Sequence, residues 1–173
     1  MTFPGPWGTL ALQGTDVTPL LALLGSDQPA VANVVRSYLG TSGARVSMVG
    51  VDHDPAVAGG AIPPNANVLI QPSLSLPLDF VAGIVQPVIG QLPGVVGAVT
   101  RENVTLPGGE SRRFTFQISA TGADGTVSTA TLQTYLLTHG PNAYLITFVT
   151  LADEAGRDDP IFDSIIGTFA FTP

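Results

Sequence analysis

The spacing of hydrophobic residues changes near Pro93, from a period close to four to a period of two. Before this point, Val31, Val34, Val35 and Tyr38 recur at i, i+3, i+4 and i+7, which is typical of one face of a helix. After it, apolar and polar residues alternate over residues 114–119, as they do in a strand with one buried face. The pattern predicts helices and strands in the first half of the chain and mainly sheet in the second.

The first half is predicted to hold strands at residues 7–13, 45–51 and 67–71. One helix starts with Pro19 after Thr18 and ends at Gly25, and a second runs from residues 26–27 to Gly40. Residues 55–65 are rich in Gly, Ala and Pro and are predicted to be a surface loop.

A third helix is predicted at residues 78–90, and we interpret it as buried and amphipathic. Its apolar side carries Leu78, Val81, Val85 and Ile89. The wider segment, residues 78–99, contains polar residues and prolines, so no uninterrupted apolar run reaches the roughly 18 residues of a membrane span.

Residues 96–150 are predicted to form a four-stranded antiparallel meander, because short turn segments at residues 107–109, 122–125 and 139–142 separate the alternating stretches. A last helix is predicted to begin with Asp159 as its N-cap and Pro160 as its first residue. Phe169 and Phe171 then alternate with small or polar residues and are predicted to form a closing strand.

The composition of the 173 residues is apolar and weakly charged, with 45% hydrophobic residues, 11% charged residues and a net charge of −7. Without cysteine, disulfides, thiolate metal sites and cysteine nucleophiles are excluded. The six positive charges are all arginines, too few and too scattered for a nucleic-acid interface. We expect one domain spanning residues 1–173, and we predict no cofactor.

Three groups of side chains could in principle carry chemistry. Asp52, His53 and Asp54 combine metal-ligating types, but on a strand His53 points away from its neighbours, so a solvated strand end is the preferred interpretation. His139 lies beside a Gly-Pro turn and is interpreted as a turn residue. The C-terminal acidic residues lack calcium-loop spacing and are attributed to capping and solvation; they are Asp153, Glu154, Asp158, Asp159 and Asp163.

Other short motifs give no catalytic or ligand-binding prediction. No Gly-x-Ser-x-Gly motif supports a Ser–His–Asp triad. The glycines at residues 59–60 and 107–109 lack phosphate-loop spacing. Arg112 and Arg113 are expected to form ion pairs with Glu102 or Glu110. Residues 103–105 match a glycosylation sequon, which matters only in a eukaryotic secretory host. No catalytic, cofactor-binding or metal-binding residue is predicted.

The C-terminal third resembles the PsbP-like α/β sandwich superfamily, which includes PsbP-type, Mog-type and LpqN-like domains. The resemblance rests on a strand at residues 144–151, an acidic spacer, the Pro160-Ile-Phe162 helix and the Thr168-Phe169 end. Residues 65–70, 92–95, 106–110 and 113–116 and Trp7 are similar too. The resemblance implies an α+β fold, a mainly antiparallel six- to seven-stranded sheet with helices packed on it as an α/β/α sandwich, and a role in binding or assembly without catalysis.

The sequence therefore favours a non-catalytic binding or assembly module with a protein partner. Two alternatives stay open: a small hydrolase or metal-dependent enzyme that uses His53 or His139, and the soluble domain of an exported or lipid-anchored envelope protein. We expect a cytoplasmic location if Met1 is the native start and an envelope or extracellular location if a signal sequence was removed. The low charge indicates either a surface of neutral polar residues or a contiguous apolar patch that binds a partner.

Overall fold

The computed structural model describes residues 1–11, 45–54, 63–121 and 125–171. The helices predicted at residues 18–25 and 26–40, and most of the loop predicted at 55–65, lie outside this part of the chain. The strand predicted at residues 7–13 is described as far as Ala11.

Seven antiparallel strands form one sheet, in the order β1-β2-β3-β7-β6-β5-β4. This confirms the predicted α+β fold class, and β4 to β7 form the predicted meander. The strands are β1 (Trp7–Ala11), β2 (Arg45–Asp52), β3 (Asn65–Pro72), β4 (Val95–Leu106), β5 (Gly109–Thr121), β6 (Val127–His139) and β7 (Asn142–Leu151).

A helix packs on each face of this sheet. Helix α1 (Leu78–Gly90) covers one face, where Phe114, Leu136 and Leu145 are buried. Helix α2 (Ala155–Ile166) covers the other, where Tyr135 and Phe148 are buried against it. Successive side chains of a strand point to opposite faces, so each central strand contributes to both cores.

Burial on both faces corrects one part of the sequence interpretation. Strands β6 and β7 were expected to be half-buried, but residues 133–137 of β6 are buried without interruption. The sequence Tyr135-Leu-Leu137 places large apolar groups on both faces of the sheet, and only the presence of a helix on each face makes that arrangement stable.

Helix α2 begins earlier than predicted. Its first residue is Ala155, so Pro160 lies inside the helix and Asp159 is not the N-cap. Within this first turn, Asp158 is buried against β7, where it accepts hydrogen bonds from the Thr150 hydroxyl and from Arg157. These contacts offset the loss of one intrahelical hydrogen bond at the proline.

The closing strand predicted at the C-terminus is absent from the described residues. After Ile166 the chain turns, and the Thr168 and Phe169 N–H groups donate to Ile165 and Ile166 carbonyls. This turn keeps Phe169 on the face of the sheet, where it is buried in the α2 core, and away from a free sheet edge.

Candidate functional site

Helix α1 is held on the sheet by one side of its surface. Val81, Val85 and Ile89 are buried against the sheet, as the sequence predicted, and Ala82 is buried with them, whereas the predicted Leu78 is only partly buried. Gln86 adds a polar contact, since its side-chain amide donates to the Val99 carbonyl at 3.1 Å. These contacts determine which residues of the helix face solvent.

The solvent side of α1 is apolar as well. Phe80, Ile84 and Val88 follow one another at four-residue intervals and are 57%, 51% and 43% exposed. Gly83 and Pro87 are also exposed and lie between them in sequence. We call these five residues the α1 outer face. The predicted buried stripe of α1 is present, but the opposite side also carries apolar side chains, a pattern typical of a helix covered on both sides.

One ion pair neutralises the single charged residue of α1. Asp79 Oδ1 accepts a hydrogen bond from Arg112 Nε at 2.8 Å. This hydrogen bond holds the pKa of the Asp79 carboxyl below its usual value. Because Arg112 belongs to β5, the pair is internal to the fold and leaves no unpaired charge on the helix.

The turn that leads into α1 also presents an apolar side chain. Leu74 is 84% exposed and has a φ of 53°, and Ser75 has a φ of 58°. Non-glycine residues rarely adopt this left-handed conformation. The Ser73 N–H donates to the Pro141 carbonyl and the Leu76 N–H donates to the Ser73 carbonyl, and these bonds hold the turn.

The Asp52-His53-Asp54 cluster does not converge. Asp52 is buried and its carboxylate accepts the Asp54 N–H at 2.9 Å. His53 is exposed, and its ring lies over Gly8 of the neighbouring strand. Among the described residues, no three His, Asp or Glu side chains group closely enough to hold a metal ion.

The two histidines lie at opposite ends of the sheet. Strand β3 marks the distance between them. His53 follows the end of β2 that lies beside Asn65, the first residue of β3. His139 pairs with Asn142, and Asn142 lies beside Pro72, the last residue of β3. At about 3.3 Å per residue these ends are roughly 20 Å apart. His139 stacks on Phe171, with ring centroids 4.2 Å apart, so it is a packing residue as well as the last residue before a turn.

Four of the five C-terminal acidic residues have structural partners, among them Asp163, which accepts from the Tyr135 hydroxyl, whereas Asp153 is exposed. Arg157 bonds to both Asp158 and Glu154, and Asp158 is only 1% exposed, so solvation does not account for it. Asp159 accepts a hydrogen bond from Gln133 Nε2 at 2.8 Å. Burial, followed by the nearby Asp163 carboxylate, raises the Asp159 pKa above its usual value.

Of the two arginines expected to pair with Glu102 or Glu110, only Arg113 does so. Arg113 Nη2 donates to Glu102 at 2.6 Å, as predicted, but Arg112 pairs with Asp79 of α1. The expectation for Arg112 failed because it considered only acidic residues close in sequence.

The remaining short motifs have ordinary positions where they are described. Pro107 and Gly108 form the turn between β4 and β5, and residues 103–105 lie on β4. The glycines at 59–60 lie outside the described residues. A shallow depression at one end of β6 and β7 is lined by residues 127–129 and 151–153, which include no histidine.

Comparison with solved structures finds the same fold elsewhere. The chain is similar to LpqN, a protein involved in cell envelope biogenesis of Mycobacterium tuberculosis, with a TM-score of 0.57 and 16% identity over 99% of this chain and 82% of that one. It is also similar to PA94, a protein of unknown function from Pseudomonas aeruginosa, at a TM-score of 0.48 and 19% identity over 63% of this chain and 74% of that one. Neither a protein-family model nor a curated protein sequence matches. The likeness to LpqN supports a shared fold, and membership of the PsbP-like superfamily stays a prediction.

The α1 outer face is the surface that the sequence interpretation missed. The thirteen residues of α1 include only one acid and one amide as polar side chains, which is too few to cover its outer side. This low polar content is the signal in the sequence for the α1 outer face. In the part of the chain that the structure describes, no helix is both long and apolar enough to span a membrane.

Proposed function

We propose that this chain is a non-catalytic binding module of the PsbP-like type that docks a protein partner on the α1 outer face. The observation that carries the proposal is the row of Phe80, Ile84 and Val88, each at least 43% exposed on a helix whose other side is already packed. A contiguous row of exposed apolar side chains supports a binding role, although a patch of this size is small for an interaction site.

The chemistry of the surface defines the partner. Asp79 is already paired within the fold, so the surface offers no free charge and fits an apolar, uncharged stripe. Side chains spaced four residues apart form a ridge that packs into the groove of a facing helix. A helix of thirteen residues is about 20 Å long and about 10 Å wide, so its footprint is roughly 200 Å². The expected partner element is one amphipathic helix, bound with modest affinity.

The absence of catalysis is part of the proposal and has its own support. His53 and His139 cannot share one site, and each already has a packing contact, with Gly8 and Phe171 respectively. If the chain were a hydrolase that uses either histidine, replacing both by alanine would abolish its activity. We expect no hydrolytic turnover that depends on either residue.

The test places a photo-crosslinking phenylalanine analogue at position 80 and, as a control, at position 127. Val127 is also apolar and is 65% exposed, but it lies at the start of β6. In cells of the source organism we expect one defined crosslinked protein from position 80 and none from position 127. The crosslinked protein, once purified, should bind the wild-type chain and lose at least tenfold in affinity for the double variant Phe80→Gln, Ile84→Gln.

The double variant should fold normally, because both side chains face solvent. Its thermal unfolding is the control, and we expect a midpoint close to that of the wild type. Crosslinking of equal yield from positions 80 and 127, or a partner whose affinity is unchanged in the double variant, would contradict the proposal.

A second candidate is that the module works in the cell envelope. The support is the similarity over nearly the whole chain to LpqN, whose role is in cell envelope biogenesis. The N-terminal sequence of the mature protein and its distribution between cell fractions test this. A mature protein that starts at Met1 and occurs only in the cytosolic fraction would contradict it.

A further inference from the structure

The free edge of β4 is a second surface without a partner among the described strands. β4 is the last strand of the sheet and pairs on one side with β5. From Thr100 to Leu106 the pairing is regular, residue opposite residue, whereas the register shifts between Val96 and Thr100, where Gly97 has a φ of 75°. The stretch from Thr100 to Leu106 is therefore a regular strand edge that no strand of the described residues pairs with.

Turn geometry determines which main-chain groups of this edge are free. Leu106 and Gly109 close the hairpin across Pro107 and Gly108. They must form a hydrogen-bonded pair, because the other antiparallel pattern would require an N–H group on Pro107, which proline lacks. The main-chain N–H and C=O groups of Leu106 and of every second residue before it then point toward β5. The three residues between them, Arg101, Asn103 and Thr105, direct their main-chain N–H and C=O groups outward.

We propose that two copies of this chain pair through this edge, β4 against β4 in antiparallel orientation, around a two-fold axis at Asn103. In this register the outward main-chain groups of Arg101 in one copy meet those of Thr105 in the other, and Asn103 meets its own counterpart. The two seven-stranded sheets become one continuous sheet. This proposal does not depend on the α1 outer face.

Charge and geometry select this register from its neighbours. An axis at Arg101 or at Glu102 would place two like charges directly opposite each other, which is destabilising in a sheet. An axis at Val104 or at Thr105 would place Pro107, which has no N–H to donate, opposite an outward-facing residue of the second copy. With the axis at Asn103, Glu102 lies opposite Val104, and no like charges face each other.

The edge is also the region where two acidic chains can approach each other. Each copy has a net charge of −7, but three of its six arginines lie on β4 and β5. Arg112 and Arg113 are paired with Asp79 and Glu102, and the two remaining charges of these strands, Arg101 and Glu110, have opposite signs. The formal charge at this edge is therefore close to zero, so local charge does not oppose the approach of a second copy.

The size of the contact determines its strength. Seven residues at about 3.4 Å each and a sheet about 10 Å thick give roughly 240 Å² for each copy. Stable dimers bury about 800 Å² for each partner, so the pairing is weak and depends on concentration.

Sedimentation velocity from about 10 μM to about 1 mM, where weak dimers are populated, tests the association. We expect a monomer that converts to a dimer as concentration rises. Thr105→Arg places a second guanidinium opposite Arg101 of the second copy and should weaken the dimer severalfold. Thr105→Glu places a carboxylate opposite that same Arg101, although it also faces Glu110 of β5, and should dimerise severalfold more tightly than Thr105→Arg. Phe80→Gln should leave it unchanged, which separates this result from the test of the α1 outer face.

Asn103→Pro removes one outward N–H while leaving the pairing with β5 intact, and it should weaken the dimer at least tenfold. Asn103→Thr, which keeps the N–H, is its matched control.

Hydrogen exchange of the wild-type chain tests the same pairing without a substitution. Amides of Arg101, Asn103 and Thr105 should exchange more slowly at high concentration, and those of Glu102 and Val104 should be protected at both. A chain that stays monomeric up to 1 mM with unchanged exchange, or a dimer insensitive to both position-105 variants, would overturn the proposal.

Discussion

Gly94 shows how a single residue can limit the fold. Its φ is 84°, and a β-carbon placed there would lie 2.6 Å from the main-chain oxygen of Ser119. Glycine therefore allows the chain to leave α1 and enter β4 beside β5, where the Ser119 N–H donates to the Gly94 carbonyl.

Gly94→Ala should destabilise the protein by about 2 kcal/mol or more, since both the backbone conformation and the contact oppose a side chain. Gly83→Ala is the matched control. Gly83 lies in α1 with nothing near its potential β-carbon, so alanine should stabilise the helix by up to about 1 kcal/mol. Urea denaturation measures both, and equal effects at the two positions would contradict this explanation.

Asp159 makes a pH-dependent contribution because its pKa is raised, first by burial and then by Asp163. Because the folded chain binds this proton more tightly than the unfolded chain does, the protonated carboxyl stabilises the fold at pH values below the pKa of the unfolded state. This stabilisation is lost as the pH rises through the pKa of the folded state. At neutral pH the ionised carboxylate therefore opposes folding. Asp159→Asn, which keeps an acceptor for Gln133, should raise the unfolding midpoint at pH 7 and have little effect near pH 3.

Thermal unfolding at the two pH values tests this, with Asp153→Asn as the exposed control. A stabilisation at pH 7 that persists unchanged at pH 3 would show that the effect does not come from ionisation of Asp159.

At the scale of elements, α2 is attached to β7 by a buried carboxylate as well as by apolar packing. Asp158 bonds to Thr150 and Arg157, while Phe162, Ile165 and Ile166 fill the core beneath the helix. Removing one partner of such a buried pair leaves the others unsatisfied.

Asp158→Ala should cost about 3 kcal/mol or more of unfolding free energy. Asp153→Ala, at an exposed position just before the helix, should change it by less than about 0.5 kcal/mol. Because Asp158 joins α2 to β7, amide exchange in α2 should accelerate in Asp158→Ala more than exchange in α1. Equal acceleration in both helices would mean that Asp158 supports the fold as a whole.

At the scale of the whole molecule, the sheet separates two hydrophobic cores. Ile89 belongs to the core beneath α1, and Ile165 and Ile146 belong to the core beneath α2. Changes in different cores should act independently, because the sheet lies between them.

Ile89→Val and Ile165→Val should each cost about 0.5–1.5 kcal/mol. The loss of unfolding free energy in the double variant of Ile89 and Ile165 should equal the sum of the two single losses within about 0.5 kcal/mol. For the pair Ile165→Val and Ile146→Val, both in the α2 core, the loss can deviate from the sum by more than this. Double-mutant cycles in urea measure these sums. Strong coupling across the sheet would contradict the two-core description.

The sequence by itself determined the seven strands of the sheet, because alternation of apolar and polar residues depends on local backbone geometry, although the same alternation wrongly predicted a closing strand at Phe169 and Phe171. The meander from β4 to β7 and the buried stripe of α1 both follow from it. It placed the start of α2 incorrectly, since local capping rules favoured Pro160 and could not include the contact of Asp158 with Thr150, eight residues away and on another element.

Only the tertiary structure decided which surfaces are left over. Whether Phe80 and Ile84 are covered depends on what packs above α1, and whether β4 has a neighbour depends on the order of the strands. Both are relations between elements distant in sequence, and hydrophobic periodicity carries no information about them. The pairing of Arg112 with Asp79, thirty-three residues apart, has the same origin.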